Sequence, residues 1–130
     1  MCGSIKVQSA LEIRSAVKTV LEDLASNCPI TEQCKYDVRL MLSELLANSL
    51  RHSCCDHAWV LYACKGGGLR CAVMDAGCGF DHAVTDCPDT LAEGGRGRYL
   101  VAATADRLRY NRRGNVALFE YTGKKCEQNV

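Results

Sequence analysis

The chain has 130 residues with 48% in the hydrophobic class, enough apolar material for a single domain spanning 1–130 with its own core and too little chain for a multidomain enzyme. Sixteen Lys and Arg against fifteen Asp and Glu leave a formal charge of +1, which argues against holding nucleic acid or acidic membranes by bulk electrostatics. No apolar run approaches the roughly 20 residues that cross a bilayer, and no signal core opens the chain, so a soluble, unexported, cytoplasmic protein is the expectation.

Residues 5–7 alternate apolar and polar as a short strand does. Ser9-Ala10-Leu11-Glu12 has the capping-box pattern, with the Ser hydroxyl set to serve an orphan N–H and the Glu to reach back. The helix it opens carries Ile13, Val17, Val20, Leu21 and Leu24 at spacings of three and four, and Asn27-Cys28-Pro29 ends it. Thr31 caps a second helix, whose stripe of Val38, Met41, Leu42, Leu45 and Leu46 runs to about His52. Extended runs at 58–64 and 69–74 follow, joined by the glycine turn Lys65-Gly66-Gly67-Gly68. Trp59 and Tyr62 read as packing residues of that hairpin. Glycines 94, 95 and 97 open a short helix before the apolar run 99–105, and 107–111 with 116–121 make a final hairpin.

Two antiparallel pairs and three helices, mostly segregated along the chain, predict a two-layer α/β sandwich: a mixed, mostly antiparallel sheet covered by helices on one face. Ten cysteines would suit a small secreted scaffold, but the helical patterning and the missing signal core favour reduced thiols. Cys64 and Cys71 alternate like small buried hydrophobes, and no Cys-x-x-Cys pair supplies a zinc site.

Three segments carry chemistry. Successive helical residues advance by about 100°, so Glu44, Asn48 and His52 share one face of the second helix, with Asp37 on the same stripe. Such a stripe is either a solvated edge or a site. Glu and Asn oxygens suit Mg²⁺, and Glu44 could instead orient or deprotonate a nucleophile. Asp75-x-Gly77-x-Gly79 ends a strand with a carboxylate able to accept from a ligand amine, beside glycines that let backbone approach a flat ring or phosphate. Gly95-Arg96-Gly97 at a helix start offers amides to an anion, with Arg96 or Arg98 adding charge. The Gly-Lys-Ser/Thr phosphate loop is missing.

The order of these boxes along the chain resembles the GHKL or Bergerat-fold ATPases, and within them it is most similar to the small bacterial anti-sigma factor serine/threonine kinases. The similarity runs from the first strand to the last hairpin. It implies that Asn48 holds Mg²⁺, that Glu44 is the general base toward a protein hydroxyl, and that Asp75 binds the adenine amino group of ATP. It further implies that Gly77 and Gly79 shape the adenine pocket, that Gly95 and Gly97 wrap the phosphates, and that His52 closes the helix motif near the nucleotide. The implied partners are an antagonist protein of the STAS type, phosphorylated on Ser or Thr, and a sigma factor or analogous regulator held in a partner switch. Relatives often form homodimers, and some contact partners through an arginine near the position of Arg14.

Three features depart from that pattern. The segment 80–93 is short for an ATP lid, Arg98 stands where an apolar residue is usual, and Asn115 follows Gly114 where Thr often supports the adenine-binding Asp. Two other readings compete: an ATP-gated binding module without transferase activity, and a stand-alone histidine kinase-type ATPase domain. The cationic cluster of Arg107, Arg109, Arg112 and Arg113 near Tyr110 reads as a solvated edge or a protein-docking patch, because no global basic excess accompanies it.

Overall fold

A computed structural model describes residues 2–52, 57–66, 68–75, 95–112 and 115–123. In chain order these form β1 (Cys2–Val7), a 3₁₀ turn (Ala10–Glu12), α1 (Ile13–Asn27), α2 (Glu32–His52), β2 (Ala58–Lys65), β3 (Gly68–Asp75), α3 (Gly95–Thr104), β4 (Arg107–Tyr110) and β5 (Val116–Tyr121). The strands make one sheet in the order β1-β2-β3-β5-β4, and all four pairings are antiparallel, where a mixed sheet was expected. Hairpins account for β2–β3 and β4–β5, and the passage through α3 and β4 returns β5 antiparallel to β3.

Alternation along the strands decides the layers. Val7, Val60, Val73 and Phe119 point to one face and are buried against Val17, Val20 and Leu24 of α1 and Val38, Met41, Leu42 and Leu46 of α2. The result is the predicted two-layer sandwich with helices on one face. Ile13 and Leu21, part of the predicted α1 stripe, are only half-buried, because they turn toward the groove between α1 and α2. Tyr62 packs in the core, whereas Trp59 stands on the opposite sheet face, edge-on to His57 with ring centres 4.6 Å apart.

Helix ends are settled locally. The Ser9 hydroxyl makes no cap bond; Glu12 instead accepts from the Gln8 amide at 3.0 Å, one residue earlier than a capping box requires. The tighter 3₁₀ turn, closed by Glu12 N–H to the Ser9 carbonyl at 3.0 Å, shifts that register. Thr31 does cap α2, accepting from the Cys34 amide at 3.0 Å. Gly66 adopts φ 59° in the β2–β3 turn, a conformation that glycine takes without a Cβ penalty. Gly95 and Gly97 lie inside α3 rather than ahead of it. Among the described residues, Cys2, Cys28, Cys34, Cys64 and Cys71 are free thiols, with Cys64 and Cys71 buried, and no helix is long and apolar enough to cross a membrane.

Two polar ties, one part-buried and one buried, fasten the layers. The Tyr62 hydroxyl donates to Asp23 of α1, and Gly3, paired with Tyr62 across β1–β2, leaves room for the ring: a Cβ there would fall 2.6 Å from Cζ. On α2, Asp37 is 3% exposed and accepts from the Tyr121 hydroxyl at 2.6 Å and from Gln33 Nε2 at 2.8 Å.

Removing the Tyr121 donor strands part of a buried carboxylate, which costs about 1–3 kcal/mol. Tyr121→Phe is therefore expected to lower urea stability by about that amount, while Tyr36→Phe, at a position 59% exposed, leaves it unchanged. Burial, with the bond to Asp23, pushes the Tyr62 phenol from 10.0 up to about 12. Burial does the same for Tyr110, against an opposing pull from Arg98. Both stay neutral in the folded protein after the unfolded chain has begun to ionise. Their contribution is full below pH 10.0 and is lost as pH rises to about 12. Alkaline unfolding within that window, with Tyr62 and Tyr110 ionising late by ultraviolet absorbance, is the expected outcome.

Candidate functional site

The site forms where α2 passes between β3 and α3. Glu44 lies on the α3 side. Gly97 is buried there, so close that a Cβ built on it would overlap Glu44 Oε2 and stand 3.2 Å from Cδ. This is a position where the missing side chain is what lets two elements meet. One turn along α2, Asn48 is 4% exposed, and Asp75, the last residue of β3, is also 4% exposed. Asn48 and Asp75 line one small cavity of about 10 Å³ together with Ser49, Tyr110 and Asn115. A volume of that size is close to that needed by one water.

Three separated stretches of chain thus come together: Glu44 with Gly97, and Asn48 with Asp75. His52 is the final residue of α2, and Gly95 and Arg96 lie in the first turn of α3. The side chains of His52 and Arg96 fall outside the described residues, as do Gly77 and Gly79 entirely. Asp37, on the same helical stripe, is taken up by Tyr121 and Gln33 and serves the fold.

Asn48 Oδ1 receives only a long contact from Arg51, at 3.5 Å, and its buried Nδ2 has no hydrogen-bond partner among the described residues. A buried amide so poorly matched is what an incoming polar ligand or water would complete. Asp75 is held from the backbone: its N–H donates to the Asn115 carbonyl at 3.0 Å and its carbonyl accepts from Asn115 Nδ2 at 3.2 Å. Asn115 therefore braces the Asp75 main chain from the position where Thr was the resemblance's expectation. Asn111 sets Asn115 in turn, donating from Nδ2 to its Oδ1 at 2.6 Å and accepting from the Val116 amide at 3.0 Å.

Ser49 and Tyr110 are site-lining residues that motif spacing does not single out. The signal for Tyr110 is the alternation of exposed Arg107 and Arg109 with inward Leu108 and Tyr110 in β4. Arg98, the departure in the glycine box, is half-buried, and its positive charge pulls the Tyr110 phenol down against the push of burial.

The donor set suits a nucleotide with a hard cation. Asn48 offers an amide oxygen with little competing for it, and Glu44, packed against Gly97, a carboxylate one turn away. Among the described residues no cluster of three His, Cys, Asp or Glu is found. Sheet order and a single helical layer define an α/β sandwich that carries these groups along α2 and at the end of β3. A family model described as the histidine kinase-like ATPase domain matches residues 7–120, and the chain belongs to that family. ATP is accordingly its ligand, and phosphoryl transfer or ATP hydrolysis its class of chemistry. A comparison with curated proteins returns no match.

A methyl at Gly97 would meet the far end of a flexible glutamate, so Gly97→Ala displaces Glu44 more readily than it disrupts the fold. Glu44 is proposed below as the base, and misplacing such a group by about 1 Å costs on the order of a hundredfold. Turnover of ATP should therefore fall by about that factor in Gly97→Ala, with far-ultraviolet circular dichroism and thermal midpoint near those of the wild type.

Proposed function

We propose that the chain is an ATP-dependent protein serine/threonine kinase of the anti-sigma type, which phosphorylates a STAS-type antagonist and otherwise holds a sigma factor or analogous regulator. The observation that carries this reading is the placement of Glu44 against Gly97, one helical turn from Asn48. That is where a base for an incoming hydroxyl is useful, because phosphoryl transfer depends on positioning and charge neutralisation more than on covalent help.

Each residue has one task in this reading. The Asp75 carboxylate accepts from the adenine amino group, with Asn115 bracing its backbone. Asn48 Oδ1 would hold Mg²⁺, and the α3 backbone at Gly95 and Gly97 would face the phosphates. Glu44 accepts the proton of a serine or threonine hydroxyl as its oxygen bonds to the γ-phosphorus and the bond to the ADP oxygen breaks. Bound Mg·ATP supplies the phosphoryl group and the neutralising charge.

A protein substrate is supported by the groove between α1 and α2, of about 1160 Å³. It is large for a small-molecule pocket. Ile13, Val17 and Leu21 line it, Arg14 and Arg39 add positive charge, and Glu44 is among its lining residues, so a polypeptide lying there reaches the proposed base.

The test pairs wild type and Glu44→Gln with ATP, Mg²⁺ and a STAS-type protein, reading added phosphate by intact mass and ATP affinity by calorimetry. The amide keeps the shape and loses the base, so affinity stays within about twofold while transfer falls at least about a hundredfold. Equal transfer by both proteins removes Glu44 from this role. ATP binding without any phosphate added by the wild type identifies an ATP-gated binding module instead.

A further inference from the structure

The face of the sheet turned away from the helices is apolar at its centre. In register across β2, β3 and β5 lie Trp59, Met74 and Val116, then Leu61, Ala72 and Leu118. These residues are half-buried or exposed, with Leu61 41% exposed, and none belongs to or packs on the core. Both helices that cover the sheet are tied to its other face through Tyr62 and Tyr121. No described helix or strand packs on this side. An antiparallel sheet with one solvated face normally presents polar residues there, and a contiguous apolar patch marks an interaction surface.

The rim is cationic. Lys6 of β1, Lys65 of β2, Arg70 of β3 and Arg107 and Arg109 of β4 surround the patch, in a chain whose net charge is only +1. Glu120 is the one carboxylate on this face among the described residues, and it is bonded to Arg70 at 2.9 Å. Lys6, Lys65, Arg107 and Arg109 have no ion-pair partner among the described residues.

We infer that this face docks a partner protein through an amphipathic helix with an apolar stripe flanked by Asp and Glu. Three strands span roughly 10 Å, which matches the roughly 10–12 Å width of a helix. A second copy of this chain would bring two cationic rims together, which opposes self-association. Single-stranded nucleic acid needs stacking platforms, and this patch is aliphatic apart from Trp59. The surface lies on the opposite side of the sheet from the nucleotide site, so it adds a contact that the kinase reading does not use.

Trp59 is the only tryptophan of the chain and reports on this face directly. The probe is an amphipathic peptide of about 18 residues, one face Leu and the flanks Glu, titrated against the full chain while Trp59 emission is followed. Saturable binding with a shifted emission is expected, weakened at least about tenfold in Leu61→Glu and in Arg109→Glu, with ATP affinity unchanged. Arg109 is exposed on an edge strand, so its variant tests the proposal even if Leu61→Glu fails to fold. Equal binding of a Lys-flanked peptide, or wild-type affinity in Arg109→Glu, overturns it. An emission shift produced instead by oligo(dT) makes the face a nucleic-acid surface, and one produced by raising protein concentration alone makes it a self-association surface. Since neither phosphate transfer nor a STAS protein enters the readout, failure here is separable from failure of the kinase reading.

Discussion

The rotation of α2 about its own axis decides everything that happens at the site, and the buried bond between Tyr121 and Asp37 is the polar contact that holds it. Residues 44 and 48 follow Asp37 by seven and eleven positions, so each lies within about 20° of its direction around the helix. Once Asp37 is drawn to β5, Asn48 is carried into the space beside Asp75, and Glu44 points along the same edge toward α3. The apolar stripe from Val38 to Leu46 acts in the same sense from the sheet side. A single helix thereby orients the proposed base and the proposed cation ligand without help from a loop.

That dependence explains what was readable from sequence. Helix and strand positions follow from periodicity and from Gly and Pro punctuation, and β5 falls at 116–121 in both descriptions. Ends depend on finer chemistry: a 3₁₀ turn moves the Glu12 bond to Gln8, and α3 takes in the glycines expected to precede it. Asp37 shows the limit of spacing arguments. On a helical wheel it is equivalent to Glu44 and Asn48, yet its partner lies 84 residues away, and only the folded sheet turns one member of the stripe into a structural tie. Tyr110 and Ser49 are invisible for a related reason, since they line the cavity by adjacency in space. Motif order brought Asn48 and Asp75 together on paper before geometry did, because boxes at the end of a central strand and along the helix packed on it must converge.

Glycine 97 and Asn115 show two ways in which this chain adjusts the arrangement. At Gly97 the close approach of α3 to Glu44 depends on having no side chain, so the glycine serves helix–helix contact as well as any ligand. At Asn115 the side-chain amide donates to the Asp75 carbonyl while the main-chain carbonyl receives the Asp75 N–H, giving the strand end two restraints from one residue. A hydroxyl could supply one donor there; the amide also offers an oxygen, which Asn111 engages at 2.6 Å.

The weak point of the packing is the place where the chemistry is expected. Asn48 buries an amide nitrogen with no partner among the described residues and an oxygen with only a 3.5 Å contact. Leaving a buried polar group unmatched costs about 1–3 kcal/mol, and a helix chosen for stability alone would carry an apolar residue at that point. The surrounding cavity is too small to hold a nucleotide and large enough for about one water, so it serves the proposed site only as one wall. The proposed nucleotide position lies beside it, by Asp75 at the end of β3 and Gly97 in the first turn of α3. A ligand that reached Asn48 from there would relieve the unmatched amide and draw α2, β3 and α3 into one set of contacts, which is how binding at this position would also stabilise the fold.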